Sequence, residues 1–158
     1  MEINKNLKTE DFFTTIKDTL ISLELLKDIN GFLVIQKIIT RLPELTDYIY
    51  EIIYTNFITI VTNKHGCYSL QKCIELGDKN QKQILIEKII NNSILLISDQ
   101  FGNYIIQYLI SQQDQILISK IISSFINNIE YLSKQKYSSN VIEKVKFFFS
   151  YSYSYSFL

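Results

Sequence analysis

The stretch of sequence that decides the fold is Asp99-Gln100-Phe101-Gly102-Asn103-Tyr104-Ile105-Ile106-Gln107-Tyr108-Leu109-Ile110. Its apolar residues recur at helical spacing, which predicts a turn followed by a short helix with one apolar stripe. Asn103 and Gln107 are one helical turn apart and share a face, and Tyr104 lies about 60° around the helix from Gln107. An amide can hydrogen-bond the edge of a nucleobase, and an aromatic ring can stack on its flat face. This helix face therefore has the chemistry of a base-binding surface.

The same pattern returns at a nearly constant period. A small residue precedes each such helix, and these anchor residues are 35, 36 and 36 positions apart. The anchors are Gly31, Gly66, Gly102 and Ser138. In every unit an apolar residue precedes a Gln or Glu at the same distance from the anchor. Four units at one period predict a repeat architecture.

Each period also contains two further apolar stretches. One set is longer, at residues 44–54 (after the single proline, Pro43), 81–90 and 115–125. The other is short, at residues 57–61, 94–97 and 129–132. The unit is then three helices in about 36 residues, and no unit can bury its apolar face alone. The sequence therefore predicts an all-α solenoid of stacked units.

The composition favours a folded helical protein. Of the 158 residues 47% are hydrophobic, and four glycines and one proline leave little room for long loops. The 16 basic and 16 acidic residues cancel, which counts against binding nucleic acid through phosphate attraction alone. Cys67 and Cys73 fit neither a metal spacing nor a disulfide framework. With no bilayer-spanning apolar run and no signal peptide, we expect a cytoplasmic protein without membrane, metal or cofactor.

The two ends of the chain differ from the repeats. Thr9 suits the N-cap of a helix that continues to Leu26 and forms the trailing helix of a preceding unit. Residues 147–158 alternate Ser and Tyr after three phenylalanines, a period-two pattern that predicts a poorly ordered, non-helical, low-complexity tail. No capping unit is visible, so we expect residues 1–146 to be part of a longer repeat protein.

At these motifs the sequence resembles the Pumilio (PUF) family of RNA-binding repeat proteins. The resemblance covers about residues 23–146, and residues 65–75, 99–107 and 139–144 carry it most specifically. It implies a right-handed, curved, armadillo-like superhelix. In that family two side chains one turn apart on the middle helix bond the Watson–Crick edge of a base. The residue after the first of them stacks between adjacent bases.

The resemblance implies three base-reading units. The implied base-edge pairs are Cys67 and Gln71 for adenine, Asn103 and Gln107 for uracil, and Ser139 and Glu143 for guanine, with Tyr68, Tyr104 and Asn140 in the stacking positions. A carboxylate only accepts hydrogen bonds, so the last pair needs a donor-rich edge such as that of guanine. Antiparallel binding then gives a core of 5′-GUA-3′ within a UGUA-type element.

The unit anchored at Gly31 departs from this pattern. Phe32 stands where a polar base-edge residue belongs, and Leu33 stands where a stacking group belongs, so that only Gln36 fits. We expect this unit to bind RNA weakly, with a loosely specified or skipped base. Outside the reading positions, Cys73 is predicted to be a core residue.

Other interpretations of these residues stay open. The tyrosines could pack partly in the core, and the amides could form an ordinary solvated face. In three units a lysine directly follows the second residue of the base-edge pair. These residues, Lys37, Lys72 and Lys144, are either phosphate contacts or solvated lysines. The single histidine, His65, is expected to cap or pack, because no nucleophile elbow, phosphate loop or metal cluster accompanies it.

The resemblance implies a monomeric, non-enzymatic protein that binds single-stranded mRNA in the 3′-untranslated region. It would control translation and mRNA stability after transcription, with protein co-repressors on the convex face. One alternative is a helical-repeat scaffold that binds proteins. Another is a ribosome-biogenesis relative that binds structured RNA with little base reading.

Overall fold

The computed structural model describes residues 14–15 and 22–155, with side chains described as far as residue 149. Residues 22–155 form eleven α-helices and two 3-10 turns, with no strand among the described residues. The helices are α1 (Leu23–Lys27), α2 (Gly31–Arg41), α3 (Thr46–Thr55), α4 (Phe57–Val61), α5 (Lys64–Leu76), α6 (Lys79–Asn91), α7 (Ser93–Ser98), α8 (Asn103–Ser111), α9 (Gln115–Phe125), α10 (Ile129–Ser133) and α11 (Ser138–Tyr155). The 3-10 turns are Pro43–Leu45 and Ile126–Asn128.

A short opening helix, a middle helix and a closing helix follow one another in each of the first three units. The predicted all-α solenoid of three-helix repeats is confirmed, and so are the short opening helices α4, α7 and α10. Pro43 begins the 3-10 turn that leads into α3, as suits a residue with a fixed φ and no N–H. The prediction that one helix continues to Leu26 is wrong at Ser22, whose backbone is extended and which caps the separate helix α1. The predicted cap at Thr9 lies outside the described residues.

The anchor residues are small because the opening helix crosses the middle helix at very short range. Each anchor lies six residues after the backbone group that it meets. A Cβ built on Gly31 would come within 2.6 Å of the carbonyl oxygen of Leu25. In the fourth unit Ser138 replaces the glycine, and its hydroxyl donates a hydrogen bond to the carbonyl oxygen of Leu132. The fixed crossing gives every middle helix the same starting point.

Three of the four middle helices also begin with the same capped turn. Asp28, Asn63 and Asp99 each lie three residues before an anchor and accept a hydrogen bond from its backbone N–H, at 2.6, 2.9 and 2.6 Å. This satisfies an N–H group that has no partner within the helix. Gln135 takes the equivalent position in the fourth unit, where its backbone carbonyl accepts from Ser139 N at 3.2 Å.

The core runs the length of the described chain between the stacked units. The apolar residue directly before the glutamine that lies five residues after the anchor of each middle helix is fully buried in the first three units. These residues are Ile35, Leu70 and Ile106. Cys73 is 0% exposed, which confirms its predicted place in the core. Its carbonyl oxygen accepts a 2.5 Å hydrogen bond from the Tyr50 hydroxyl, which ties the closing helix of one unit to the middle helix of the next.

The predicted non-helical tail is wrong for residues 147–155, because α11 continues to Tyr155. Val145 and Phe148 are three residues apart, and both pack against the core, so the apolar stripe of α11 extends past residue 146. Residues 156–158 lie outside the described part of the chain. None of the helices described is long and apolar enough to cross a bilayer.

Candidate nucleic-acid interface

The four middle helices lie side by side in chain order. Contacts join α2 to α5, α5 to α8 and α8 to α11. Because every middle helix starts from a small anchor, positions one, two and five after the anchor fall at equivalent places in each unit. We call the surface at these positions in the second, third and fourth units the reading face; its residues are Cys67, Tyr68, Gln71, Asn103, Tyr104, Gln107, Ser139, Asn140 and Glu143.

Two contacts show that neighbouring units present these positions on the same side of the molecule. The Phe32 and Tyr68 rings meet edge to face, with centroids 6.1 Å apart and planes at 81°. Gln107 of the third unit lines one groove together with Asn140 and Glu143 of the fourth. The sequence-predicted positions are therefore brought together across unit boundaries.

The stacking position, two residues after the anchor, is exposed in every unit of the reading face. Tyr68 is 52% and Tyr104 54% exposed, and Asn140 is exposed as well. An exposed aromatic ring leaves apolar surface in contact with water. The two rings at equivalent positions are therefore available for stacking. Both rings keep about half of their surface exposed, although the Tyr68 ring also packs against the core residue Phe32. Lys72 Nζ lies 5.7 Å from the centroid of the Tyr68 ring.

In the third unit the side chain of Asn103 is buried beneath that of Gln107. Asn103 is only 1% exposed, and its Nδ2 donates to the backbone carbonyls of Asp99 at 2.8 Å and Gln100 at 3.1 Å. Its Oδ1 accepts a 2.7 Å hydrogen bond from Gln107 Nε2. The half-buried Gln107 keeps one amide hydrogen and its carbonyl oxygen for an incoming group.

The second unit has the same arrangement with a thiol. Cys67 is 2% exposed, and Gln71 Nε2 donates to its sulfur at 3.8 Å. Burial raises the pKa of the Cys67 thiol to about 11, so that it stays protonated at neutral pH and is not a nucleophile. In both units a buried acceptor holds the amide of a glutamine that reaches the surface.

The fourth unit is built differently. Ser139 and Glu143 are both exposed, and the Ser139 hydroxyl donates to the carbonyl oxygen of Lys136 at 2.9 Å. A groove of about 450 Å³ opens beside them, lined by Gln107, Asn140, Glu143, Lys144 and Phe147. Phe147 was predicted as part of the tail and not of the site. Its spacing of four residues from Glu143, on a helix, is the signal that could have found it.

The first unit lacks the polar groups of the others. Phe32 is 2% exposed and Leu33 is 55% exposed, while Gln36 is half-buried. The ring of Phe32 occupies the first reading position and packs against Tyr68 of the next unit. The only group in this triplet that could bond a base edge is the amide of Gln36.

The charged and titratable groups around the reading face differ in their surroundings. Lys72 Nζ forms a 2.7 Å ion pair with Glu75, whose hydrogen bond raises the pKa of the lysine. Lys144 lines the groove, and Lys37 is exposed. The backbone N–H of His65 donates to the Asn63 cap. Over the described residues, no three His, Cys, Asp or Glu side chains gather closely enough to hold a metal ion.

Comparison with known proteins gives a consistent match. A family model for the Pumilio-family RNA binding repeat matches residues 56–90, 93–123 and 128–145, just over half of the chain. Pumilio homolog 12 of Arabidopsis thaliana is 38% identical over 121 residues, covering 76% of this chain and 20% of the relative. Pumilio homology domain family member 4 of Saccharomyces cerevisiae is 40% identical over 70 residues, covering 44% of this chain and 8% of the relative.

The solved structures agree with the sequence relatives. The Puf4 RNA binding domain, bound to the HO endonuclease RNA 3′ UTR recognition sequence, superposes with a TM-score of 0.72 at 35% identity. The match covers 83% of this chain and 42% of that domain. The chain thus spans a fifth or less of these two curated relatives and less than half of the solved domain.

Proposed function

Because the chain belongs to the Pumilio family of RNA binding repeats, we propose that it binds single-stranded RNA with one base held by each of its second, third and fourth units. The observation that carries this proposal is the reading face itself. Consecutive middle helices present exposed tyrosines and hydrogen-bonding side chains at equivalent positions. Rings of this kind stack on bases, and the amide and carboxylate groups beside them can bond base edges.

The chemistry of each unit favours one base. Gln107 has one donor and one acceptor left, which match a uracil carbonyl and its N3–H. Glu143 offers only acceptors, which match the N1–H and N2–H₂ of guanine. Gln71 has the same amide next to a thiol and would bond adenine. The proposed core is 5′-GUA-3′ within a UGUA-type element, with the strand antiparallel to the chain.

The burial of the first positions refines their roles. Asn103 and Cys67 would act chiefly by orienting the glutamines above them, because each accepts a hydrogen bond from a glutamine amide. Ser139, which is exposed, could bond the base directly. The first unit would hold its base weakly or skip it, since Phe32 offers no donor or acceptor.

The cellular role that follows is control of mRNA after transcription. The Puf4 domain is bound to a 3′ UTR recognition sequence, which supports the proposal that this chain acts on untranslated regions and regulates translation and mRNA stability. We propose that it does so in the cytoplasm as a monomer, without chemistry of its own, through protein co-repressors recruited to the opposite face.

Titration of the 158-residue chain with UGUA-containing and scrambled oligonucleotides tests the proposal. Stacking contributes roughly 1–3 kcal/mol per base, so three bases give about 3–9 kcal/mol, whereas micromolar affinity needs about 8 kcal/mol. We therefore expect a preference for UGUA with a Kd in the micromolar range or weaker. Equal binding of all sequences would favour the structured-RNA alternative, and no binding would favour the protein scaffold. Nanomolar binding would refute the affinity estimate.

A change of base preference tests the residue assignment. Replacing Ser139→Asn and Glu143→Gln together gives the fourth unit the polar pair of the third, and should shift its preference from G toward U. The matched control is Glu130→Gln, which makes the same chemical change at an exposed carboxylate on α10. If the double variant still prefers G, or the control shifts preference equally, the assignment is wrong.

A further inference from the structure

The fourth unit lacks the aromatic ring that its neighbours have on the reading face. The second and third units have Tyr68 and Tyr104 at the stacking position, whereas the fourth has Asn140. The groove beside Asn140 nevertheless contains one ring, that of Phe147. This side chain is 64% exposed, which is high for a phenylalanine.

The position of Phe147 follows from the helix. Residues 140, 143 and 147 are spaced three and four apart, so their side chains form one line along α11. Phe147 therefore lies one turn beyond Glu143, on the same side. The equivalent residues of the second and third units are Glu75 and Ser111, which are not aromatic. Among the three units of the reading face, the ring at this position thus occurs in the fourth, whose stacking position has none.

We propose that Phe147 is a nucleotide-binding residue whose ring packs against the guanine base held by Glu143. This inference rests on the proposed function and extends it to a residue outside the reading face. The groove of about 450 Å³ brings the required groups together. Glu143 accepts from the guanine N1–H and N2–H₂, Phe147 covers an apolar surface of the base, and Lys144 supplies positive charge at the same opening.

The test compares four forms of the full 158-residue chain by fluorescence anisotropy with a UGUA-containing RNA. These forms are the wild type, Phe147→Ala, Phe147→Tyr and Phe149→Ala. Phe149 is a matched control, since it is also exposed, at 43%, but lies about 200° around α11 from Phe147. A second RNA that is abasic at the guanine position separates contact with the base from any effect on the fold.

Phe147→Ala should weaken binding of the intact RNA about tenfold, within the range known for base–aromatic stacking. Phe147→Tyr and Phe149→Ala should bind like the wild type. On the abasic RNA, Phe147→Ala and the wild type should bind equally. Unchanged affinity of Phe147→Ala, or an equal loss on both RNAs, would overturn this inference and leave the proposed function intact. A wild-type chain that binds neither UGUA nor scrambled RNA would overturn both.

Discussion

Replacing Asn103→Ala should lower the free energy of unfolding by about 3 kcal/mol. The side chain is 1% exposed and makes three hydrogen bonds, two to the carbonyls of Asp99 and Gln100 and one with Gln107. Each such bond contributes a net 0.5–1.5 kcal/mol, so three contribute about 3 kcal/mol. The same change removes the acceptor that holds Gln107 in place.

Ser139→Ala is the matched control, since Ser139 occupies the same position in the fourth unit. It is exposed, and its hydroxyl makes one local hydrogen bond to Lys136. Loss of an exposed group of this kind usually changes stability by no more than about 0.5 kcal/mol. Urea unfolding followed by circular dichroism should shift the midpoint strongly for Asn103→Ala and little for Ser139→Ala, with the slope unchanged. Equal shifts would refute the reasoning that burial separates the two positions.

Three further predictions concern the scaffold. Gly66→Ala should destabilise by about 1–3 kcal/mol because its Cβ would meet the backbone of Ile60, whereas Gly102→Ala, where the nearest atom is 3.0 Å away, should cost less in the same thermal melts. Gln113 has a φ of 60°, so Gln113→Gly should raise stability by about 0.5–1 kcal/mol in urea unfolding. The control Gln112→Gly, at a residue in the right-handed region, should not raise it. Burial raises the pKa of the Cys73 thiol from 9.0 to about 12, so the unfolded state loses this proton first, and stability should fall as pH rises from about 9 to 12. Cys73→Ala should make that fall shallower in unfolding experiments at alkaline pH, without removing it, because burial also raises the pKa values of Cys67 and Tyr50.

The repeat could be predicted from the sequence because its signals are local. Small residues at a 35–36-residue period mark the helix crossings, and the apolar stripes mark the helices between them. The short opening helices α4, α7 and α10 were found by their apolar residues alone. These features depend on spacing within one unit, and stacking then follows because each unit exposes an apolar face.

The depth of the first reading positions could not be predicted in the same way. The register of Cys67 and Asn103 indicates which face of the helix they share, but burial depends on the helix of the next unit. Cys67 lies on α5, which packs against α8 of the next unit. Helical periodicity within one unit contains no information on such a contact.

The helical end of α11 was missed for a related reason. The alternation of Ser and Tyr after Phe149 dominated the sequence pattern, although the apolar stripe had already continued through Val145 and Phe148. Tertiary packing of those two side chains outweighs a weak local preference, as is common for helix ends. The same extension of α11 places Phe147 in the groove.

The units differ in how closely recognition is coupled to folding. In the second and third units the glutamine that reaches the surface is held by a buried partner, so a change at Cys67 or Asn103 alters stability as well as the reading group. In the fourth unit Ser139 and Glu143 are both exposed, and neither is required by the core. A new base preference can therefore be introduced in the fourth unit at little cost in stability. In the third unit, a substitution at Asn103 would remove three buried hydrogen bonds, and the stability that they contribute would have to be recovered elsewhere.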